Sequence, residues 1–151
     1  MGTQELRRYF RRHNTSGVYT IYLPSGSPLQ VYCEQDIDRW GWAVIQRRQD
    51  GSVDFYRNWT EYKYGFGDLN GEFWLGLENI YLMTSSGNYS LRMDLTDWDN
   101  TTGFAIYDTF SISNESNNYT LHVGGYHGTA GNGLDTKLLI ICPQWTSLLD
   151  V

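Results

Sequence analysis

The sequence predicts an α+β domain: an antiparallel sheet with short helices inserted between its strands. Three observations carry this prediction. Tryptophan, tyrosine and phenylalanine make up 16% of the 151 residues, with 12 Tyr and 16 Gly. That composition suits aromatic strands separated by glycine turns better than it suits a helical bundle. Leu91, Met93 and Leu95 alternate with Arg92 and Asp94, the period of a strand with one dry face and one wet face. Two stretches, 59–64 and 77–83, follow a helical pattern but are too short to form a layer of their own.

The elements follow in order. Residues 18–22 and 30–33 are β-branched and aromatic runs, and Pro24-Ser25-Gly26-Ser27-Pro28 between them reads as a turn. Residues 42–48 read as a third strand, opened by a turn at Trp40-Gly41-Trp42. Asp50-Gly51 is a strong turn dipeptide, followed by a short extended segment. Asn58 is placed to cap a helix over 59–64, which Gly65 stops. Residues 72–75 are short and apolar. Leu77, Ile80 and Tyr81 then recur at helical spacing and predict a helix over 77–83. Gly87-Asn88 turns the chain into a strand over 89–95, and 104–112 and 119–123 read as further strands. Trp40, Trp42, Trp59 and Trp98 are expected to fill the core rather than to form a sugar-stacking platform.

Composition removes several functional classes. The length supports one domain with a hydrophobic core. A net charge of -6 with 19% charged residues argues against a nucleic-acid partner, whose backbone demands clustered Lys and Arg. The one basic cluster, Arg7, Arg8, Arg11 and Arg12, reads as a solvated helix face. No run of 18 apolar residues offers a membrane span. The first dozen residues contain no apolar signal-peptide core, so no secretory signal is expected in this chain. Six N-x-S/T sequons, at Asn14, Asn58, Asn88, Asn100, Asn114 and Asn118, nevertheless point to the secretory pathway and are candidate N-glycosylation sites. The body of the chain outweighs its start, and an extracellular, secreted location is expected.

Candidate chemistry is sparse. Asp97 and Asp99 flank Trp98 with Asp94 nearby, and read as turn residues rather than cation ligands. His13, His122 and His127 lack metal-ligand spacing, and His122 is expected to be structural. Asp68 and Glu72 could serve a glycosidase, the remote alternative, since those enzymes need two carboxylates at one bond. No nucleophile turn or phosphate loop is present. Cys33 and Cys142 are too few for a disulfide scaffold, and sequence alone does not say whether they pair.

From Ser16-Gly17-Val18-Tyr19 through Val31-Tyr32-Cys33, and most specifically across 41–84 (GWAVIQRRQDGSVDFYRNWTEYKYGFGDLNGEFWLGLENIYLMT), the chain resembles the fibrinogen C-terminal-like domain. Fibrinogen chains, ficolins, tenascins, angiopoietins and microfibril-associated glycoproteins share it. The resemblance continues to Leu134. It implies a fibrinogen-like α+β fold, no catalysis, and glycans, acetylated groups, matrix proteins or receptor proteins as partners.

Departures from the family pattern carry their own expectations. The family's partner for Cys33 falls near Gln4-Glu5-Leu6, which holds no Cys, so Cys33 is expected to lack it; a Cys33–Cys142 bond is the remaining alternative and is not favoured. After Leu134 the family's calcium-binding carboxylates and ligand pocket are expected to be missing. No calcium or other cofactor is therefore expected, and no ligand-binding residue is assigned. Residues 5–134 read as a partial domain and 135–151 as a divergent tail. The run at 138–142 is strand-like and could enter the sheet, but a loose, sticky tail is the favoured expectation. The favoured function is an extracellular recognition module with a reduced or lost family ligand site. The alternative is a truncated isoform without ligand binding, or a decoy or oligomerisation partner.

Overall fold

Among the described residues, nine strands, all paired antiparallel, build one sheet around which two short helices are set. The computed structural model describes residues 15–37, 41–134 and 145–150. Strands β1 (Gly17–Tyr22) and β2 (Pro28–Glu34) form a hairpin in the register Gly17↔Cys33 to Tyr22↔Pro28. Its turn closes through Leu23 N–H to Ser27 O at 2.9 Å and Gly26 N–H to Leu23 O at 2.8 Å. Strand β3 (Trp42–Arg47) pairs with β2 and is buried from Trp42 through Gln46. A strand buried along its whole length needs ladder partners on both edges.

Helix α1 (Trp59–Tyr64) forms where the capping chemistry places it. Asn58 accepts from Glu61 N–H at 3.0 Å, and the Glu61 carboxylate accepts from Asn58 N–H at 3.2 Å, a complete capping box. Short strands β4 (Phe66–Gly67) and β5 (Phe73–Trp74) follow, β5 pairing with both β4 and β3. Helix α2 (Leu77–Thr84) buries Ile80, Met83 and Thr84. Strands β6 (Tyr89–Thr96), β7 (Thr102–Ile112) and β8 (Leu121–Gly128) then form a meander. A 3-10 turn at Glu115–Asn117 joins β7 to β8. Val31, Val44, Phe73, Ile80, Tyr89 and Tyr107 lie at the centre of the core.

The two glycine-flanked loops around β4 bring backbones into contact. Gly76 has φ +104°, and a Cβ there would lie 2.7 Å from the Tyr64 carbonyl carbon and 2.9 Å from Lys63 O. Gly67 has φ +94°, and a Cβ would overlap Glu72 O. Neither neighbour can swing aside, because each is main chain. Gly76→Ala is expected to cost at least about 2 kcal/mol of unfolding free energy. Urea denaturation checks this, and a midpoint equal to that of the parent protein would contradict it.

The structure departs from the expectations at three places. Strand β9 (Trp145–Asp150) lies between β3 and β6, giving the order β1-β2-β3-β9-β6-β7-β8. Its register runs Trp42↔Asp150 to Arg47↔Thr146 on one side and Leu91↔Leu149 to Leu95↔Trp145 on the other. The end of the chain therefore supplies the central strand and is not a loose tail, because β3 and β6 would otherwise present unpaired backbone to the core. The strand-like run at 138–142 lies outside the described residues. Trp42 is buried, but Trp59 and Trp98 are 54% and 83% exposed; they sit at a helix start and a turn tip, where the backbone runs over the surface. Trp40 and the basic cluster lie outside the described residues. Tyr119, in turn, is not in a strand. Asn118 and Tyr119 have φ of 52° and 48° and turn the backbone, so β8 begins at Leu121 and extends through Gly128. His122, expected to be structural, lies on that strand with its side chain exposed and its Nε2 2.9 Å from Ser113 Oγ.

Candidate functional site

Glu72 is the most buried carboxylate described, at 1% exposure. Its Oε1 accepts the backbone N–H groups of Gln49 at 2.6 Å, Asp50 at 3.0 Å and Gly51 at 3.0 Å, and its Oε2 accepts Val53 N–H at 2.9 Å. Arg48 Nε stands 3.8 Å from Oε1. Burial pushes this carboxyl up, but the four backbone donors outweigh burial and hold its pKa at about 2. With its acceptor capacity directed at the 49–53 loop, Glu72 organises that loop. Asp68 is exposed, accepts Asn70 N–H at 2.9 Å and shapes its own turn. Glu72 is buried with its oxygens on backbone donors and Asp68 is exposed in its own turn, uses that suit loop structure rather than the paired acid and base of a glycosidase.

Asp94 and Asp97, two of the three aspartates around Trp98, are also taken up locally. Asp97 Oδ1 accepts Asp99 N–H at 2.9 Å and Thr101 N–H at 2.8 Å. Both Asp94 oxygens accept from the Arg92 guanidinium at 2.8 Å. These carboxylates do not fit a calcium cage of 6–8 oxygens, and among the described residues no three His, Cys, Asp or Glu side chains converge as metal ligands. His127 Nε2 contacts Asp108 Oδ1 at 3.3 Å on the surface; His13 lies outside the described residues. Cys33 is a buried free thiol. Burial pushes its pKa up, which keeps it protonated and inert. Cys142 lies outside the described residues.

Two surface features remain. A groove of about 550 Å³ opens between the 87–89 turn, β7 and β8. Asn88, Thr109, Ser111 and His122 supply its polar atoms, and Phe110 and Leu134 its apolar walls. His122 Nε2 is 2.9 Å from Ser113 Oγ. The second feature joins α1 to the 3-10 turn. Lys63 Nζ donates to Glu115 Oε2 at 2.7 Å, and the Trp59 and Tyr119 rings lie 6.0 Å apart. Tyr119 donates its phenol proton to Glu78. Burial, then this bond to a carboxylate, holds the Tyr119 pKa up at about 12. Glu78→Gln is therefore expected to bring that phenol part of the way back toward 10.0, as ultraviolet titration of the tyrosines would record; an unmoved last titration step would contradict it. No local pattern announces these pairs, since their partners lie 41 and 52 residues apart.

The described sequon asparagines, Asn58, Asn88, Asn100, Asn114 and Asn118, are all exposed. Asn14 lies outside the described residues.

Comparison with known proteins agrees with this architecture. Residues 5–142 match the model for the C-terminal globular domain of the fibrinogen beta and gamma chains. This protein belongs to that family. Angiopoietin-related protein 1 of Bos taurus is 48% identical over 123 residues, covering 81% of this chain and 25% of that protein. The fibrinogen-like globe domain of human ANGPTL2 superposes with a TM-score of 0.80 at 48% identity, over 84% of this chain and 59% of that one. A lamprey fibrin D-dimer structure, complexed with the peptide Gly-His-Arg-Pro-amide, gives 0.75 at 43% identity, over 83% and 41%. The sequence thus spans about a quarter of the length of the curated relatives it matches. A fibrinogen-like domain is a binding module and not an enzyme, in line with the structural use of Glu72. No helix among the described residues is long and apolar enough to cross a membrane.

Proposed function

We propose that this protein is an extracellular recognition module that contacts a glycan, an acetylated group or a matrix or receptor protein without calcium. The likeness to solved fibrinogen-like globes at 48% identity carries the reading. The groove beside β7 and β8 supports it, because neutral polar groups and an imidazole over apolar walls suit a short peptide or sugar better than an ion. The engagement of Asp94 and Asp97 with an arginine and with backbone donors supports the calcium-free part. The test is retention on immobilised acetylated sugars, matrix proteins and receptor ectodomains, in calcium and in chelator. Equal retention in both buffers is expected. Retention only in calcium would overturn the calcium-free reading. No retention in either buffer would overturn recognition itself, in favour of a protein that has lost ligand binding.

A further inference from the structure

Tyr56 is 95% exposed, more than any other large apolar side chain described, and Trp59 is 54% exposed. Between them stands Asn58, the acceptor of the sequon Asn58-Trp59-Thr60. The segment is held in place: Tyr56 N–H donates to Asp54 Oδ1 at 2.8 Å, Arg57 Nε to Asp54 O at 2.8 Å, and the Arg57 guanidinium to Glu61 at 2.9 Å. Asn58 is itself asymmetric in its use. Its Oδ1 is engaged by Glu61 N–H as the helix cap, while the capping box asks nothing of Nδ2. Modification at Nδ2 keeps the carbonyl oxygen, so a glycan is compatible with the cap. The same face carries two more acceptors. Asn114 and Asn118 flank the 3-10 turn that the Lys63–Glu115 and Trp59–Tyr119 contacts join to α1.

We propose that Asn58 carries an N-linked glycan whose first N-acetylglucosamine lies on the Tyr56 ring. The donor is an oligosaccharide activated as a lipid-linked diphosphate. A bond forms between Nδ2 and the sugar C1, the C1–O bond to the diphosphate breaks, and the diphosphate leaves with the electron pair as Nδ2 releases one proton. The apolar face of the sugar then covers a ring that no protein group shelters. A rigid segment lowers the entropy lost on packing. The occupant of this aromatic patch is thus the protein's own glycan rather than a protein partner. The inference rests on the extracellular reading.

The experiment compares protein secreted from a eukaryotic host with protein made without glycosylation, each as parent, Tyr56→Ala and Thr60→Ala. Thr60→Ala removes the sequon and leaves the Asn58 cap. Glycopeptide mass spectrometry is expected to find Asn58 occupied. In secreted material each variant is expected to lower Tm by about 2–4 °C, the shift of one stacked ring in a domain of this size. The two losses are not additive, and both vanish in unglycosylated protein. Bare Asn58 beside occupied Asn114 or Asn118 overturns this inference alone. Equal Tyr56→Ala effects in both materials also overturn it, since the ring would then act without a sugar. Failure of the protein to leave the cell overturns the inference together with the extracellular reading.

Discussion

Glu72→Gln is expected to lower the unfolding free energy by about 3 kcal/mol, with any residual binding of the folded fraction unchanged. The magnitude follows from the carboxyl's displacement from 4.5 to about 2. The amide would also turn a donor toward a loop that offers only donors, at Gln49, Asp50, Gly51 and Val53. The same bonds set an acid dependence. A carboxyl whose folded pKa is depressed contributes stability that is fully present above its unfolded pKa and is lost as pH falls through the folded one. Parental stability should therefore fall between pH 4.5 and about 2, and Glu72→Gln should flatten that segment by one proton. Denaturant unfolding across this range checks both. A catalytic Glu72 predicts the opposite pattern: unaltered stability, and lost turnover of a chromogenic glycoside.

Leu148→Pro is expected to abolish cooperative unfolding. Leu148 pairs with Val44 of β3 and with Arg92 of β6, so it sits mid-strand between two neighbours. Proline removes a ladder donor there and is confined in sheets to edges, strand starts and bulges. A loss of about 3 kcal/mol or more consumes much of a typical domain's margin of roughly 5–15 kcal/mol. Leu148→Ala keeps every ladder bond, so the gap between the two variants reports the backbone contribution. Circular dichroism on heating separates the outcomes: a sharp transition in Leu148→Pro equal to that of Leu148→Ala would show that β9 is dispensable.

Local chemistry is legible in the sequence and non-local chemistry is not. The Asn58 cap and the Gly65 stop place α1 to the residue, because both determinants directly flank its six residues. The alternation Leu91, Met93, Leu95 likewise places β6, and the resemblance across 41–84 names the family. Strand β9 escapes such a reading because Trp-Thr-Ser-Leu-Leu-Asp shows no clean alternation and its partners in β3 and β6 stand far back in the sequence. The stretch ending in Gly128 escapes it because Gly124 and Gly125 carry no side chain to continue the alternation, although the strand runs through them. The role of Glu72 has one faint local sign: the Asp50-Gly51 turn aims several N–H groups inward, and such a turn needs an acceptor. Nothing local says that Glu72 supplies it from 19 to 23 residues away. Aromatic composition marks a β-rich domain but not which rings face water, so Trp59 and Trp98 read as core residues although both are exposed.

Strand β9 is the middle strand of the described fibrinogen-like sheet, between β3 and β6. Native-state hydrogen exchange reads that arrangement amide by amide. Protection of the Leu148 and Leu149 amides equal to that of Leu91–Met93 is the predicted result. Exchange of Leu148 and Leu149 at unfolded-chain rates, while Leu91–Met93 stay protected, would contradict it.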